Sequence, residues 1–264
     1  MTAIAVTIAG SDSGAGAGIA ADLKTFSALG VYGATVITAL TAQNTKGVFA
    51  IHEVPPDFVA AQIDAVFSDL AVGAVKIGML RNAPAIEAVA GGLDRYRQQN
   101  VVLDPVMAAS TGEELLRADA LDALRGLIRR ARVITPNLPE AAALLGTTVA
   151  REEAEMCAQA KKLLALGAGA VLLKGGHADG PQSVDFLLEA ESCERLAAPR
   201  VATRNTHGTG CTLSAAIAAG LAKGQKLGEA VREAKAYVSA ALAAADRLAI
   251  GSGRGPLHHF HGRW

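Results

Sequence analysis

The chain has 264 residues, and its 25 Lys and Arg balance its 25 Asp and Glu. A protein that binds duplex nucleic acid carries a basic excess, so we expect no nucleic-acid partner. Hydrophobic residues make up 51% and charged residues 19% of the chain, which predicts a folded core. The sequence has no apolar run of about 18 residues and no basic N-terminal leader, so we expect a cytoplasmic protein with no membrane partner. Its three cysteines are widely spaced and predict neither a disulfide framework nor a cysteine zinc site.

Short β-branched runs alternate with longer Ala- and Leu-rich runs along the chain. Strands are predicted over residues 4–9, 34–40, 75–77, 101–104, 133–135, 171–174 and 184–188, with an antiparallel addition over 192–199. Helices are predicted over residues 18–29, 56–70, 83–98, 118–130, 139–145, 151–166, 211–223 and 227–248. This alternation is typical of parallel strands joined by helices that cover both sheet faces. We predict an α/β fold, a three-layer α/β/α sandwich with a central, mostly parallel sheet, forming one domain over residues 1–264.

Charged and amide side chains follow several of the predicted strands, where open parallel sheets bind their ligands. Asp104 and Glu140 have the carboxylates that Mg²⁺ prefers, and Lys174 could pair with phosphate oxygens. Asn137 lies three residues before Glu140. Any one of these could instead be a helix cap or part of an ion pair. Together, on adjacent strand ends, they favour phosphoryl transfer.

Two glycine-rich segments precede predicted helices. In the first, residues 10–22, the stretch Gly16–Ala21 fits the dinucleotide fingerprint GxGxxG/A, but the acidic residue expected about 20 positions later is missing, which disfavours a nicotinamide site. Two alternatives stay open for this segment: it forms a turn with a helix cap, or its glycines let a substrate approach the backbone closely. In the second segment, Gly208, Thr209 and Gly210 place backbone N–H groups at a helix N-terminus, which predicts an anion site. No Walker A spacing occurs in the sequence.

Cys211 stands at the start of the same predicted helix, where the helix dipole lowers a thiol pKa. His207 lies four residues earlier, so a Cys/His nucleophile, as in a hydrolase, is an alternative. The C-terminal segment GPLHHFHGRW contains three histidines. A metal site is conceivable there, but aromatic packing is the more common role of such a tail.

Five segments, NTHGTGC, NLPEA, LDPVM, LLKGGH and ADLKTFSALGVYGATVITALTAQNT, resemble the hydroxymethylpyrimidine/phosphomethylpyrimidine kinases of thiamine biosynthesis, in the ribokinase-like superfamily. The resemblance covers nearly the whole chain. It implies ATP with Mg²⁺, a small pyrimidine substrate and a homodimer. It also implies phosphorylation of 4-amino-5-hydroxymethyl-2-methylpyrimidine to its monophosphate and then to its diphosphate. A pyridoxal or pyridoxine kinase of the same fold is the main alternative, and a non-catalytic pyrimidine-binding protein is another.

The resemblance also implies roles for individual residues. Gln43 would read the pyrimidine, because a carboxamide offers both a donor and an acceptor. The other residues of the substrate site would be Ala17, Asp22, Met79 and Val106. The nucleotide would be bound by Asn137, Thr206 and Lys235, and the metal by Asp104 and Glu140.

The catalytic group implied by the resemblance consists of Lys174, Gly208, Thr209, Gly210 and Cys211. We expect a Cys211 thiolate to help the alcohol substrate lose its proton, a role that the already ionised monophosphate does not need. The chain departs from the usual family loop at Ala15, where glycine is common.

Overall fold

The computed structural model describes residues 2–109, 112–176, 180–190 and 192–264. His177 of the LLKGGH motif therefore lies outside the described residues. The strands are β1 (Ile4–Gly10), β2 (Tyr32–Asn44), β3 (Gly47–Glu53), β4 (Ala74–Ile77), β5 (Val101–Leu103), β6 (Val133–Ile134), β7 (Ala170–Lys174), β8 (Gln182–Glu189) and β9 (Ser192–Pro199). The helices are α1 (Gly18–Ala28), α2 (Pro56–Phe67), α3 (Ala83–Arg95), α4 (Leu121–Ile128), α5 (Leu138–Leu145), α6 (Glu153–Leu164), α7 (Thr209–Ala222) and α8 (Leu227–Ala243).

All of these strands belong to one sheet, in the order β3-β2-β1-β4-β5-β6-β7-β8-β9. Every pairing from β2 through β7 is parallel, whereas β3, β8 and β9 pair antiparallel at the two edges. Parallel strands place their carboxyl ends at one edge of the sheet, so the loops that follow β1, β4, β5, β6 and β7 converge there. The prediction of a central, mostly parallel sheet is confirmed.

Side chains of the central strands alternate between two apolar cores. Val75 and Ile77 of β4 face the core that contains α2 to α6, while Ala74 faces the core that contains α1, α7 and α8. In β5, Val101 and Leu103 contribute to the first core in the same way. Because both sheet faces are covered, these strands read as continuous apolar runs. The predicted three-layer sandwich is therefore confirmed.

The sheet edges differ from the sequence prediction. β2 runs on to Asn44, and the hairpin partner β3 was not predicted. Within β3 only Gly47 is buried. Neither face of the strand is covered, so its sequence lacks the apolar alternation that marks a half-buried strand. Residues 41–44, which follow the predicted end of β2 at residue 40, are therefore part of that strand. Within the described ranges, no helix is long and apolar enough to span a bilayer.

Candidate active site

An ion pair links the ends of β5 and β7. Lys174 Nζ lies 2.8 Å from Asp104 Oδ1, and the Thr135 hydroxyl donates to the same oxygen at 3.1 Å. The Ser214 hydroxyl of α7 donates to Asp104 Oδ2 at 3.3 Å. Burial would raise the pKa of Asp104, but the ammonium groups of Lys174 and Lys76 outweigh it and hold this pKa below its usual value. Asp104 is thus a buried carboxylate whose charge is compensated mainly by Lys174.

Glu140 lies beside this pair at the start of α5. Its carboxylate accepts from the Asn137 N–H at 2.8 Å, while the Asn137 side chain accepts from the Glu140 N–H at 2.9 Å. This reciprocal capping box holds both side chains at the helix N-terminus. Burial raises the pKa of Glu140 to about 7, with Asp104 adding to the shift and Lys174 opposing it. The structure therefore brings Asp104, Asn137, Glu140 and Lys174 together, as predicted.

The first turn of α7 adjoins the ion pair. A Cβ on Gly210 would lie 3.2 Å from Lys174 Nζ and 3.6 Å from Asp104 Oδ2. Gly208 precedes the helix with φ of 83°, a left-handed conformation that favours glycine. One of the three predicted amides is not available for an anion, because the Thr209 N–H donates to Thr206 O at 3.2 Å. Thr206 O also accepts from the Thr209 hydroxyl at 2.7 Å, so these two residues form a turn at the start of α7.

The two glycine-rich segments are in direct contact. A Cβ on Gly208 would overlap Gly16 O, so this position leaves no room for a side chain. In the first segment Ala15 has φ of 59°, which explains why a glycine is favoured there. The contact therefore joins the start of α1 to the start of α7.

Lys235 lies further from the centre of the site. Its Nζ pairs with Asp185 Oδ2 at 2.6 Å, and Asp185 Oδ1 accepts from the Gly175 N–H at 2.9 Å. Lys235 therefore pairs with Asp185 of β8, and the same carboxylate holds the Gly175 backbone that follows Lys174. The sequence prediction placed Lys235 near the nucleotide but did not identify Asp185 as its partner.

A small apolar cluster lies on the other side of the site. Met79 is buried against Ala39 and Leu115, with Val106 packed beside them. A Cβ on Gly10 would collide with the Met79 side chain, so the end of β1 also borders this cluster. The structure thus brings Met79 and Val106 together as predicted, at the carboxyl ends of the central strands.

The prediction that Asp22 contacts substrate is corrected by the structure. Asp22 has 0% exposure. It accepts from the Thr7 hydroxyl at 2.6 Å and from Lys76 Nζ at 2.8 Å. Burial would lower the pKa of Lys76, but Asp22 and other nearby acidic groups outweigh it and raise this pKa. Asp22 therefore forms a buried ion pair that links α1 to β4.

The expectation of a lowered Cys211 pKa is also corrected. Burial raises the pKa of the Cys211 thiol to about 11, although Lys76 and a backbone hydrogen bond from Gly18 oppose the shift. The thiol is therefore protonated near neutral pH. A protonated thiol does not favour the Cys/His nucleophile, and His207 Nε2 bonds Asp12 Oδ2 at 2.8 Å.

Asp12 and His207 form a network that the sequence analysis missed. Asp12 Oδ2 accepts from the N–H groups of Gly16 at 3.0 Å and Ala17 at 2.9 Å. His207 Nε2 also lies 3.4 Å from the amide nitrogen of Gln43, at the end of β2. Ala17 and Gln43, both predicted in the substrate site, are thus linked through the Asp12–His207 pair.

The residues that the sequence analysis missed differ in how clearly the sequence indicated them. Lys76 stands in the apolar run AVKI, and a charge inside a central strand was a usable sign of a buried partner. Asp12 and His207 both lie in the glycine-rich segments, but their pairing joins residues 195 positions apart. Only the folded chain reveals that contact.

The chain matches the family model for phosphomethylpyrimidine kinase over residues 12–258. A hydroxymethylpyrimidine/phosphomethylpyrimidine kinase of Rhizobium meliloti is 61% identical over 265 residues, which cover 100% of this chain and 99% of the relative. The phosphomethylpyrimidine kinase of Clostridium difficile has a TM-score of 0.80 at 43% identity, covering 89% of this chain and 97% of that one. The pyridoxal kinase of Bacillus subtilis, solved as an ADP complex, has a TM-score of 0.91 at 37% identity, covering 100% of this chain and 99% of that one.

Proposed function

The chain belongs to the phosphomethylpyrimidine kinase family, and from that premise we propose that one site performs two successive phosphorylations. The first transfers the ATP γ-phosphoryl group to the hydroxymethyl of 4-amino-5-hydroxymethyl-2-methylpyrimidine. The second transfers another to the resulting monophosphate and gives the diphosphate. The observation that carries this proposal is the Asp104–Lys174 pair at the first turn of α7.

The two sides of the site suit the two reactants. The apolar cluster provides a surface for a flat ring, and Gln43 supplies one donor edge and one acceptor edge for an aminopyrimidine. On the other side, Lys174 and the α7 N-terminus place positive charge where the phosphoryl group would pass. Phosphoryl transfer depends mainly on such positioning and electrostatic stabilisation. A protonated Cys211 contacts the substrate in this scheme rather than acting as its base.

The donor set of the site fits ATP with Mg²⁺. Asp104 and Glu140 are carboxylates close enough for Asp104 to raise the pKa of Glu140, a mutual repulsion that a cation would relieve. Mg²⁺ is often held by one or two carboxylates together with water and substrate phosphates. When bound, it would neutralise charge on the phosphates. ATP as the donor is supported by the ADP complex of the related pyridoxal kinase.

Pyridoxal phosphorylation is the second candidate, because a pyridoxal kinase shares this fold at 37% identity. The pyrimidine kinases are favoured by the 61% identity over the full chain. A Cys-dependent hydrolase is not supported, since burial keeps the Cys211 thiol protonated near neutral pH. We further propose a cytoplasmic homodimer, assembled through the exposed Leu40, Phe49 and Phe58 on and beside the β2–β3 hairpin.

The proposed function is tested by following ADP release with three acceptors offered separately: the hydroxymethylpyrimidine, its monophosphate and pyridoxal. We expect both pyrimidines to be phosphorylated in an Mg²⁺-dependent reaction, with pyridoxal at least about 100-fold less efficient. Comparable efficiency with pyridoxal would instead support the second candidate.

Lys174→Ala tests the phosphoryl side of the site. Because the ammonium would stabilise charge in the transition state, we expect turnover to fall by about 100- to 1,000-fold with little change in pyrimidine affinity. Lys162→Ala, on the exposed face of α6, is the matched control and should keep normal turnover. Near-normal turnover in the Lys174 variant would remove this residue from the reaction.

A further inference from the structure

The Asp12 carboxylate acts only as a hydrogen-bond acceptor. Its Oδ1 accepts from the Gly14 N–H at 2.8 Å, and its Oδ2 accepts from the Gly16 and Ala17 N–H groups. Burial would raise the pKa of Asp12, but the hydrogen bond from His207 and those from the backbone outweigh it, so this pKa lies below its usual value. Asp12 is therefore ionised near neutral pH.

The ionised Asp12 fixes the tautomer of His207. Because a carboxylate cannot donate, the 2.8 Å contact with His207 Nε2 requires the hydrogen to be on that nitrogen. His207 Nε2 carries a single hydrogen, which is directed mainly at Asp12 Oδ2 and can only be shared weakly with its second neighbour, the Gln43 side chain at 3.4 Å. It cannot accept from Gln43.

The two ends of the Gln43 carboxamide face different partners. Nε2 lies 3.4 Å from His207 Nε2, and Oε1 lies 3.2 Å from the Thr41 hydroxyl. With His207 Nε2 protonated, this ring nitrogen has no lone pair with which to accept from the Gln43 amide nitrogen. The Thr41 hydroxyl has one hydrogen, and its shorter contact is with Ser11 O at 2.9 Å. A half-turn of the carboxamide resolves both conflicts, because Oε1 then accepts at His207 and Nε2 donates to Thr41.

Building on the proposed function, we propose that the Asp12–His207 pair sets the direction of the Gln43 carboxamide and thereby determines which ring edge the pocket accepts. The carboxamide oxygen faces His207 and its nitrogen faces Thr41. Thr41 cannot set this direction alone, since a hydroxyl can turn to donate or accept. His207 can only donate, because Asp12 holds its proton in place. Asp12 and His207 are positioning residues that act through Gln43.

This direction gives the pocket a specific preference. An aminopyrimidine presents an amino donor next to a ring-nitrogen acceptor, which complements one acceptor and one donor of the fixed carboxamide. The corresponding 4-oxopyrimidine has the reverse pattern, an oxo acceptor beside a ring N–H donor. It would need the opposite carboxamide direction, which brings the amide nitrogen back against the His207 N–H. We therefore expect the wild-type protein to bind the aminopyrimidine at least about 100-fold more tightly than its 4-oxo counterpart.

The test is the ratio of the two dissociation constants, measured by calorimetry in the wild type and in His207→Leu, with kcat and KM for the amino substrate as a second measurement. Loss of the fixed N–H should lower the ratio by about tenfold or more while leaving the KM for ATP within about twofold. A purely structural role would weaken both ligands equally, and an unchanged ratio would overturn the proposal. His207→Gln restores an amide N–H donor and should recover the ratio.

A second variant keeps the test decisive if His207→Leu does not fold. Thr41→Val removes the other partner of the carboxamide but leaves the Asp12–His207 pair intact. It should keep the ratio within about threefold of the wild-type value, and a tenfold fall would contradict the proposal. Because the readout is binding, it is separate from the proposed function. Pyrimidine binding without phosphorylation would remove the kinase assignment, while the ratio would still decide the role of the pair.

Discussion

Cys211 shows how the surroundings of a residue can outweigh its position on a helix. The start of α7 favours a thiolate, as do Lys76 and the Gly18 N–H, yet burial raises the pKa of the thiol to about 11. At pH 7 only about one thiol in 10,000 is then ionised. A proton acceptor populated at that level contributes little to phosphoryl transfer.

Cys211→Ala is therefore expected to slow both phosphorylations by a similar factor, in contrast to the sequence hypothesis of a larger effect on the alcohol. The thiol would act by packing against the ring, which both acceptors share. The measurement is the rate of each step at saturating substrate in the same variant. A loss at least about tenfold greater for the alcohol than for the monophosphate would restore the base role.

At the scale of elements, α6 and β9 bring two cysteines together. Cys157 and Cys193 lie 36 positions apart, and their Sγ atoms are 3.2 Å apart as free thiols. We expected no disulfide framework from the sequence, and the spacing of these cysteines gave no sign of this contact. A peroxide can join them, since it takes two electrons and two protons from the thiols and is reduced to water.

Peroxide treatment is expected to form an intramolecular disulfide between Cys157 and Cys193. Closing a loop of this length restricts the unfolded chain and should add about 4 kcal/mol to the unfolding free energy, before any strain in the folded state. Peptide mapping would identify the linked pair, and the melting temperature would report the gain. Cys193→Ser should show no gain under the same treatment. Linkage between two chains, or oxidation of Cys193 alone, would contradict this expectation.

Elements with a strong apolar pattern were predictable, as were the short strand β6 and the edge strand β9, whereas β3 was not. β1, β4 and β7 are mostly apolar because both of their faces are buried, so their sequences identified them. β6 has only two residues, and its prediction over 133–135 was one residue too long. β3 has little buried surface, so its position follows from pairing with β2.

The candidate site followed the same division. Strand-end residues such as Asp104 and Lys174 could be found because parallel strands bring their ends together. The partner of each buried charge could not be found, because the contacts Asp12–His207, Asp22–Lys76 and Asp185–Lys235 join segments distant in sequence. The family resemblance placed Asp22 in the substrate site, whereas its carboxylate is fully buried against Thr7 and Lys76.

At the scale of the whole molecule, the C-terminal segment holds the last two helices of the fold together. The Tyr237 hydroxyl of α8 donates to His259 O at 2.7 Å, and the His259 ring contacts the Thr212 hydroxyl of α7 at 3.1 Å. The neighbouring His258 ring packs against Trp264 with centroids 4.7 Å apart, and His261 packs against Tyr237 at 5.3 Å. The expectation of aromatic packing in this tail is confirmed, and the described residues contain no cluster of three metal-ligating side chains.

The buried His259 makes this docking sensitive to acid. Burial, with a contribution from Lys24, lowers the pKa of His259 from 6.5 to about 4. Between those values the unfolded chain binds a proton that the folded chain excludes, so the unfolding free energy is complete above about pH 7 and falls as the pH drops from 6.5 towards 4. A difference of this size amounts to roughly 3 kcal/mol.

Urea unfolding of the wild type and of His259→Gln at pH 7.5 and 4.5 should show a smaller loss of unfolding free energy in the variant, because glutamine does not titrate. The exposed His52→Gln serves as the control and should lose as much stability as the wild type. Equal losses in all three proteins would show that the C-terminal segment does not depend on a neutral His259.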